Sequence, residues 1–312
     1  MKKILFITDK LDTLKINTDT TYALMDASIQ SGYAIYYTLP QYLSLINTTL
    51  YCKNIHLTLN NANLTDNKHK WYTEHDRSAN KVDDFYAVFI RNDPPFDMEY
   101  YYLTQMLNFV THAKVINNSA SLRNFNEKLS ILNFPNFITN TLVTKDKHAI
   151  DEFIKIHKSC VIKPLNLMAG RGVFKINDLD INYGAILETS TNYYAQTIMI
   201  QKFIPEVIDG DRRVFIVNGK VIEYCLHRIP QNNQIRGNVA AGGKTEVHKL
   251  NSHELNIAQQ VAAWLDTHNI LFAGLDIIGN YLTEINITSP TGVRQIFTNT
   301  NINIAKLLIQ SI

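Results

Sequence analysis

The sequence predicts an α/β protein whose N-terminal part holds a parallel sheet, followed by a smaller α+β unit and a C-terminal region built on hairpins. Three observations carry this. Apolar runs at 4–8 and 33–39 flank a segment of helical spacing (Tyr22, Ala23, Leu24, Ala27, Ile29) that Gly32 stops, giving β-α-β. From 139 to 203 short strand and helix patterns alternate around their own apolar positions. Beyond 210, Asn218-Gly219 and Gly279-Asn280 each separate two apolar runs, and these pairs turn easily because both residues tolerate positive φ.

Taken in order, residues 4–8 read as a buried strand, 20–30 as a helix and 33–39 as a second strand. Residues 41–82 are polar and Asn-rich and read as a short hairpin plus an exposed excursion. A strand at 85–90 runs into Arg91-Asn92-Asp93-Pro94-Pro95-Phe96-Asp97, where two prolines forbid the ladder and fix a loop at a strand end. Open α/β sheets place ligands at such ends. A helix at 100–112 and a short strand at 115–117 follow, Asn118-Ser119 can cap the next helix, and another begins at 126–129. The smaller unit reads as strand 139–144, helix 148–157, strand 160–164, strand 172–176, helix 179–189 and strand 196–203. Then come the hairpin 213–217/221–227, a helix at 252–269, the hairpin 275–286 and a terminal helix at about 301–312.

Composition bounds the function. A chain of 312 residues allows two or three packed units, and 46% hydrophobic with 19% charged residues describes an ordinary globular protein. A formal net charge of +2 argues for neither nucleic acid nor a membrane surface as partner. Cys52, Cys160 and Cys225 are scattered without CxxC spacing, which speaks against a disulfide framework or zinc site and suits a reducing cytosol. The start Met1-Lys2-Lys3-Ile4-Leu5-Phe6-Ile7-Thr8-Asp9 is too short in apolar residues for a signal peptide, and no apolar run approaches a spanning helix, so a cytoplasmic location is expected.

Several residues can carry chemistry. In the last hairpin Glu284 and Asn286 project from one face, and Asp276 joins them if it lies opposite 284. That register needs an odd-length loop or a bulge, since a two-residue loop would set Asp276 against Thr283. Two carboxylates and an amide oxygen suit Mg²⁺ shared with nucleotide phosphates; the alternative is a hairpin with a wet polar face. Lys163 sits in an otherwise apolar strand and needs an anionic partner or must snorkel. The following loop carries Gly170 and Gly172, which can bring N–H groups to phosphates, although no GK[ST] or GxGxxG motif is present. The stretch 202–204, held by Pro205, could present an N–H and a C=O to an adenine edge. Arg213 alternates with apolar residues in its strand and faces either a cleft or solvent. Arg228 and Arg236-Gly237-Asn238 suit bidentate carboxylate or phosphate contacts, and Lys128 is a second candidate phosphate lysine or a solvated one. The order of these features matches nucleotide-dependent ligation.

These residues are where a resemblance becomes specific. RNDPPFD (91–97), NEKL (126–129), IKPL (162–165), DGDRR (209–213), RIPQ (228–231), RGNVAAGG (236–243), GLDIIG (274–279) and LTEINITSPTG (282–292) occur in the order seen in the bacterial glutathione synthetase family of the ATP-grasp superfamily, which the chain resembles nearly end to end. The resemblance implies a three-part ATP-grasp fold: an N-terminal α/β domain at 1–124 and an ATP-grasp region at 125–312, with a central lid at 125–205 and a catalytic domain at 206–312. It implies ATP as co-substrate, two Mg²⁺ ions (Mn²⁺ as substitute), γ-glutamylcysteine and glycine as substrates, an acyl-phosphate intermediate and a homotetramer. Asp276, Glu284 and Asn286 are then the metal ligands. Lys128, Lys163, Gly170, Gly172, Gln201, Lys202, Phe203, Ile204 and Asp211 line the nucleotide. Arg213, Arg236 and Asn238 act on the reacting groups, and Arg91, Arg228, Ser289, Pro290, Thr291 and Arg294 hold substrate.

Two departures from the family pattern stand out. The loop that usually reads KPLDGMGG is KPLNLMAG here, with Asn166, Leu167 and Ala169 at Asp and Gly positions, and glycine permits φ values these residues resist. Asn92 replaces the lysine of RKDPPFD, removing a cation. A related ligase with another acceptor, or a nucleotide-binding protein that has lost turnover, are the readings these departures leave open.

Overall fold

The computed structural model describes residues 1–60, 70–230 and 244–312. Its strands are β1 (Lys3–Thr8), β2 (Ala34–Thr38), β3 (Leu43–Ile46), β4 (Thr49–Leu59), β5 (Tyr72–Lys81), β6 (Ala87–Arg91), β7 (Lys114–Ile116), β8 (Thr141–Thr144), β9 (Ser159–Pro164), β10 (Phe174–Asn177), β11 (Ile198–Lys202), β12 (Asp211–Val217), β13 (Lys220–Ile229), β14 (Lys244–Lys249), β15 (Phe272–Ile278) and β16 (Tyr281–Asn286). The α-helices are α1 (Thr20–Gln30), α2 (Met98–Leu107), α3 (Ser119–Asn124), α4 (Lys147–His157), α5 (Tyr183–Thr191), α6 (Ser252–Thr267), α7 (Val293–Thr300) and α8 (Ile304–Gln310).

The strands form three sheets. In the first, β1 pairs in parallel with β2 and β6, and β6 with β7, while β3, β4 and β5 extend the β2 side antiparallel. Buried on both faces, the middle of β1 is a continuous apolar run, with Ile4, Leu5, Phe6 and Ile7 all at 0% exposure. The expected β-α-β opening is therefore present. The expected short hairpin at 41–82 is β3–β4, but β4 and β5 run 11 and 10 residues and pair at length, so the alternating buried positions Leu50, Cys52 and Asn54, with Leu57 beyond a register shift, outweigh the polar composition.

The second sheet has the order β10-β9-β11-β8 and is antiparallel throughout. Helices α4 and α5 cover it, closing a small core of Ile150, Ile154, Ile162, Ile176, Leu187 and Ile200. Asp146 caps α4 through the His148 N–H, as an N-cap carboxylate should.

The third sheet, β14-β13-β12-β15-β16, carries the candidate site. Its two hairpin turns are those read from the sequence: Val217 pairs with Lys220 around Asn218 (φ 48°) and Gly219 (φ 69°), and Ile278 with Tyr281 around Gly279 (φ 55°). The second hairpin contains a bulge, because pairing passes from Ile277–Leu282 to Asp276–Glu284 and leaves Thr283 as the extra residue. Thr283 Oγ1 donates to the Asp276 carbonyl at 3.0 Å, which pins the bulge. The sheet thus reaches the Asp276–Glu284 register with a two-residue turn.

Elsewhere the structure differs from expectation. The segment after Lys128 forms a short 3₁₀ turn (Leu129–Asn133) instead of an α-helix, since Pro135 follows. The terminal helix expected at 301–312 is α8, and a further helix that was not expected, α7, precedes it, the two separated at Asn301 with φ 60°. Both pack against α1. Among the described residues no helix is long and apolar enough to cross a membrane.

Candidate functional site

One face of the third sheet brings charged residues together by strand register. Arg213 on β12 lies opposite Asp276 on β15, which lies opposite Glu284 on β16; Asp211 lies opposite Arg228, and Gly274 opposite Asn286. Gly274 is required by proximity, because a Cβ there would sit 2.8 Å from Arg213 Cδ and 3.1 Å from Pro290 Cβ. This face forms the floor of a cavity of about 400 Å³, closed by the 163–173 segment, the 91–94 loop and the 288–292 segment.

The floor is a buried ion network. Arg213 donates Nε to Asp276 Oδ1 (2.5 Å) and Nη2 to Oδ2 (2.9 Å). Arg228 Nη2 lies 2.9 Å from Asp276 Oδ1, while Arg228 Nε and Nη2 fork Asp211 at 2.6 and 2.7 Å. Asn286 Nδ2 adds a fourth donor to Asp276 at 3.3 Å. Burial alone would raise the Asp276 pKa, but Arg213 and Arg228 overcome it and hold the carboxyl well below the usual carboxylate range. Asp211 is held above its ordinary value by burial and by neighbouring Asp276, against the pull of Arg228.

Glu284 and Asn286 differ from Asp276. Among the described residues the Glu284 carboxylate accepts no hydrogen bond, with Lys128 Nζ at 3.8 Å, and the Asn286 amide donates to Gly274 O and Asp276 so that its oxygen is left to face the cavity side of the sheet without a donor. These two oxygens fit a hard cation as they stand. A carboxylate has about four lone-pair sites, and those of Asp276 already meet four donors; it can join a metal only when an arginine turns away.

Two buried lysines stand over this floor. Lys163 Nζ lies 3.5 Å from Thr283 O, and burial pushes its pKa down, opposed by Glu284. Lys128 donates to Leu167 O at 2.6 Å, so it holds the 166–172 loop. The same loop is fixed by Asn126 Nδ2 to Leu165 O (2.8 Å) and by Phe96 N–H to Asn166 O (3.0 Å). Of the departures from the family pattern, only Ala169 has positive φ (55°), alongside Gly170 and Gly172 at 68° each. Asn166 and Leu167 have ordinary backbone, which limits the expected strain to one residue. Gly172 is tightly held, since a Cβ would meet Pro164 Cγ at 2.8 Å.

The wall from the N-terminal sheet contributes Arg91, which is buried and, among the described residues, has no carboxylate partner. Its Nε donates to Thr21 Oγ1 and its Nη2 to Pro290 O, both at 3.2 Å, while Nη1 has no partner among the described residues. Burial lowers its pKa, with Asp19 and Asp93 pulling the other way. Ser289 Oγ donates to Asp93 at 2.7 Å, and the Asp93 N–H donates to Asp9 Oδ2 at 2.9 Å.

Sequence reasoning passed over Glu127 and Asn117. Glu127 Oε1 accepts from the Ile287 N–H (2.8 Å), the Thr288 N–H (2.9 Å) and Thr288 Oγ1 (2.8 Å), which positions the Ser289-Pro290-Thr291 segment. The NEKL motif contained that signal. Asn117 is buried and bonds Phe272 O, Ile287 O and the Phe272 N–H, joining the end of β7 to β15 and to the residue after β16.

Not every expected residue reaches the cavity. Gln201 is buried and donates to Thr141 Oγ1, while Lys202, Phe203 and Ile204 border a second groove of about 440 Å³. The N–H groups of Lys202 and Phe203 bond the Asn140 and Ser159 carbonyls, leaving that of Ile204 without a backbone partner among the described residues. Arg294 stacks over the Tyr22 ring at 4.7 Å, on α7. Arg236 and Asn238 lie outside the described residues.

The family model described as prokaryotic glutathione synthetase, N-terminal domain, matches residues 2–123, and that described as prokaryotic glutathione synthetase, ATP-grasp domain, matches 127–301. A glutathione synthetase of Neisseria meningitidis serogroup B is 40% identical over 314 residues, covering 100% of this chain and 98% of that protein. One from Nitrosomonas europaea is 38% identical, covering 99% and 97%. Among solved structures, D-cycloserine synthetase DcsG aligns with a TM-score of 0.67 at 12% identity, over 99% and 98% of the two chains. A Chryseobacterium gregarium RiPP-associated ATP-grasp ligase aligns at 0.64 and 16%, over 100% and 96%. At those identities the two structures speak for the fold, which is that of ATP-grasp ligases.

Proposed function

The chain belongs to the prokaryotic glutathione synthetase family, and from that premise we propose how its residues divide the work of the reaction. It is an ATP-dependent ligase that makes glutathione. In the proposed sequence, a carboxylate oxygen of γ-glutamylcysteine attacks the γ-phosphorus of ATP and ADP leaves. The amine of glycine then attacks the acyl phosphate, losing a proton and expelling inorganic phosphate. No side chain is acylated, so catalysis is positioning and charge neutralisation.

The convergence of Lys163, Arg213, Arg228 and Glu284 on one cavity is the observation that carries this reading. Lys128 and Lys163 neutralise the phosphates, with the Gly170–Gly172 backbone beside them. Lys202 to Ile204 take the adenine edge through the Ile204 N–H, with Gln201 and Asp211 at the ends of that site. Glu284 and Asn286 would hold Mg²⁺, which would neutralise phosphate charge there, and Asp276 would be free to join them once Arg213 and Arg228 pair with the phosphoryl group and the substrate carboxylate. The buried fork of Arg91, with Ser289, Pro290 and Thr291, receives the donor peptide; Arg294 borders that end. Arg236 and Asn238 act beside the reacting groups. The domain limits 1–124, 125–205 and 206–312, a cytoplasmic location and a homotetramer belong to the same proposal.

The test supplies γ-glutamylcysteine, glycine and Mg-ATP and measures ADP and tripeptide together. One ADP per glutathione is expected. ADP release with alanine equal to that with glycine would instead favour a ligase of another acceptor, and ATP binding without ADP release would sink the assignment.

A further inference from the structure

On the reverse face of the sheet from Arg228, its neighbour His227 meets Glu246 and His248 of β14. His227 and Glu246 are direct cross-strand partners, and His248 lies two residues from Glu246 on the same strand. One ring nitrogen from each imidazole and one carboxylate oxygen lie within 4.8 Å of one another. His248 Nε2 is 3.1 Å from Glu246 Oε2, close to the ligand–ligand separation around a tetrahedral ion with bonds of about 2.0–2.2 Å. Lys244 Nζ holds the other carboxylate oxygen, Oε1, at 2.7 Å, leaving Oε2 for a single bond. His227 Nε2 lies 2.5 Å from the Asp209 carbonyl, the outer contact that metal-bound imidazoles commonly make.

We propose that His227, Glu246 and His248 form a binding site for one transition-metal ion of the zinc class, separate from the hard-cation site at Glu284. Two imidazoles and one carboxylate are a borderline donor set that selects Zn²⁺, Co²⁺ or Ni²⁺ over Mg²⁺, and with three protein ligands the fourth position is left to water. The ion would cross-link β13 to β14 behind the strand that carries Arg228. Neither imidazole touches the cavity, so the site is independent of the ligase reading.

The full-length protein is titrated with Co²⁺ in millimolar Mg²⁺, which occupies the oxygen sites, and followed by visible absorption and thermal melting. One equivalent with a four-coordinate Co²⁺ spectrum is expected, displaced by Zn²⁺ and accompanied by a rise in Tm. H227A and H248A should each weaken binding at least about tenfold and abolish the Tm rise, each melting normally without metal. Absence of saturable binding, a spectrum unchanged by both substitutions, or displacement by Mg²⁺ alone would overturn the proposal.

Discussion

Arg213 forks both oxygens of Asp276 across adjacent strands, at 2.5 and 2.9 Å, in a position where neither side chain is more than 9% exposed. Glu284, Asp276's partner on the other side, makes no comparable bond among the described residues. The two carboxylates, equivalent in the sequence motif, therefore have different structural roles. Asp276→Ala strips the shared acceptor from two buried guanidinium groups and is expected to cost about 3–5 kcal/mol of stability. Glu284→Ala should cost about 1 kcal/mol or less, its side chain being 23% exposed, yet lower kcat at least about 100-fold. Chemical denaturation and steady-state kinetics on both variants separate these effects; equal destabilisation would show that the fork does not anchor the sheet.

The altered loop makes a second prediction. Ala169 occupies left-handed backbone, which costs an L-residue about 1–2 kcal/mol, while its replacement by glycine returns about 0.4–1 kcal/mol of chain entropy to the unfolded state. Ala169→Gly should thus be neutral to stabilising by up to about 1.6 kcal/mol. Leu167 has ordinary φ, and its Cδ1 packs 3.6 Å from the position a Gly172 Cβ would take, so Leu167→Gly should destabilise. Melting curves giving both changes the same sign would reject this account.

Much of this was legible in the sequence and some was not, for physical reasons. Period-two patterns with the Asn218-Gly219 and Gly279-Asn280 turns located the two hairpins, and Asp276, Glu284 and Asn286 followed from side-chain alternation once a bulge was allowed. The bulge itself depends on the Thr283 hydroxyl reaching the Asp276 carbonyl, a tertiary detail with no local signature. Long strands β4 and β5 were hidden because a solvent-facing sheet extension carries a polar composition. Asn117 and Glu127 act on backbone groups 155 to 170 residues away, and no pattern along the chain announces such bonds.

Among the described residues Arg91 Nη1, at the cavity wall, has no hydrogen-bond partner. A buried guanidinium lacking a carboxylate is poised to receive one from substrate, and a lysine would keep the charge but lose the fork. Arg91→Lys should raise the KM for γ-glutamylcysteine about tenfold, with the KM for ATP little changed. A KM rise confined to ATP would move Arg91 to the nucleotide side.

Asp9 gives a pH prediction. Burial raises its pKa, partly offset by the Asp93 N–H, and the charges of Asp93 and Asp19 add to the rise. Between the unfolded and the higher folded value the native state binds more protons, so stability falls as pH climbs through that window and the deficit persists above it. Asp9→Asn should therefore stabilise the protein at pH 7, with the gain shrinking below about pH 4, where aspartate is protonated in both states. Denaturation at the two pH values decides it; a gain independent of pH would assign the effect to packing.

Asn117 offers the last test, of how the first and third sheets are joined. Its Nδ2 donates to Phe272 O and Ile287 O, both at 2.7 Å, and its Oδ1 accepts the Phe272 N–H at 2.9 Å. At 5% exposure water cannot replace these bonds, so Asn117→Ala leaves three backbone groups unsatisfied and should cost about 2–4 kcal/mol. Ile287 begins the segment leading to Ser289-Pro290-Thr291, and Glu127 holds the same segment from the other side. Loss of the Asn117 bonds should consequently raise the KM for the peptide substrate while leaving ATP binding unchanged. Asn117→Asp keeps only the acceptor, placing a carboxylate against two carbonyls, and should destabilise more than alanine does. The reverse order would mean that cavity formation, not hydrogen bonding, sets the cost.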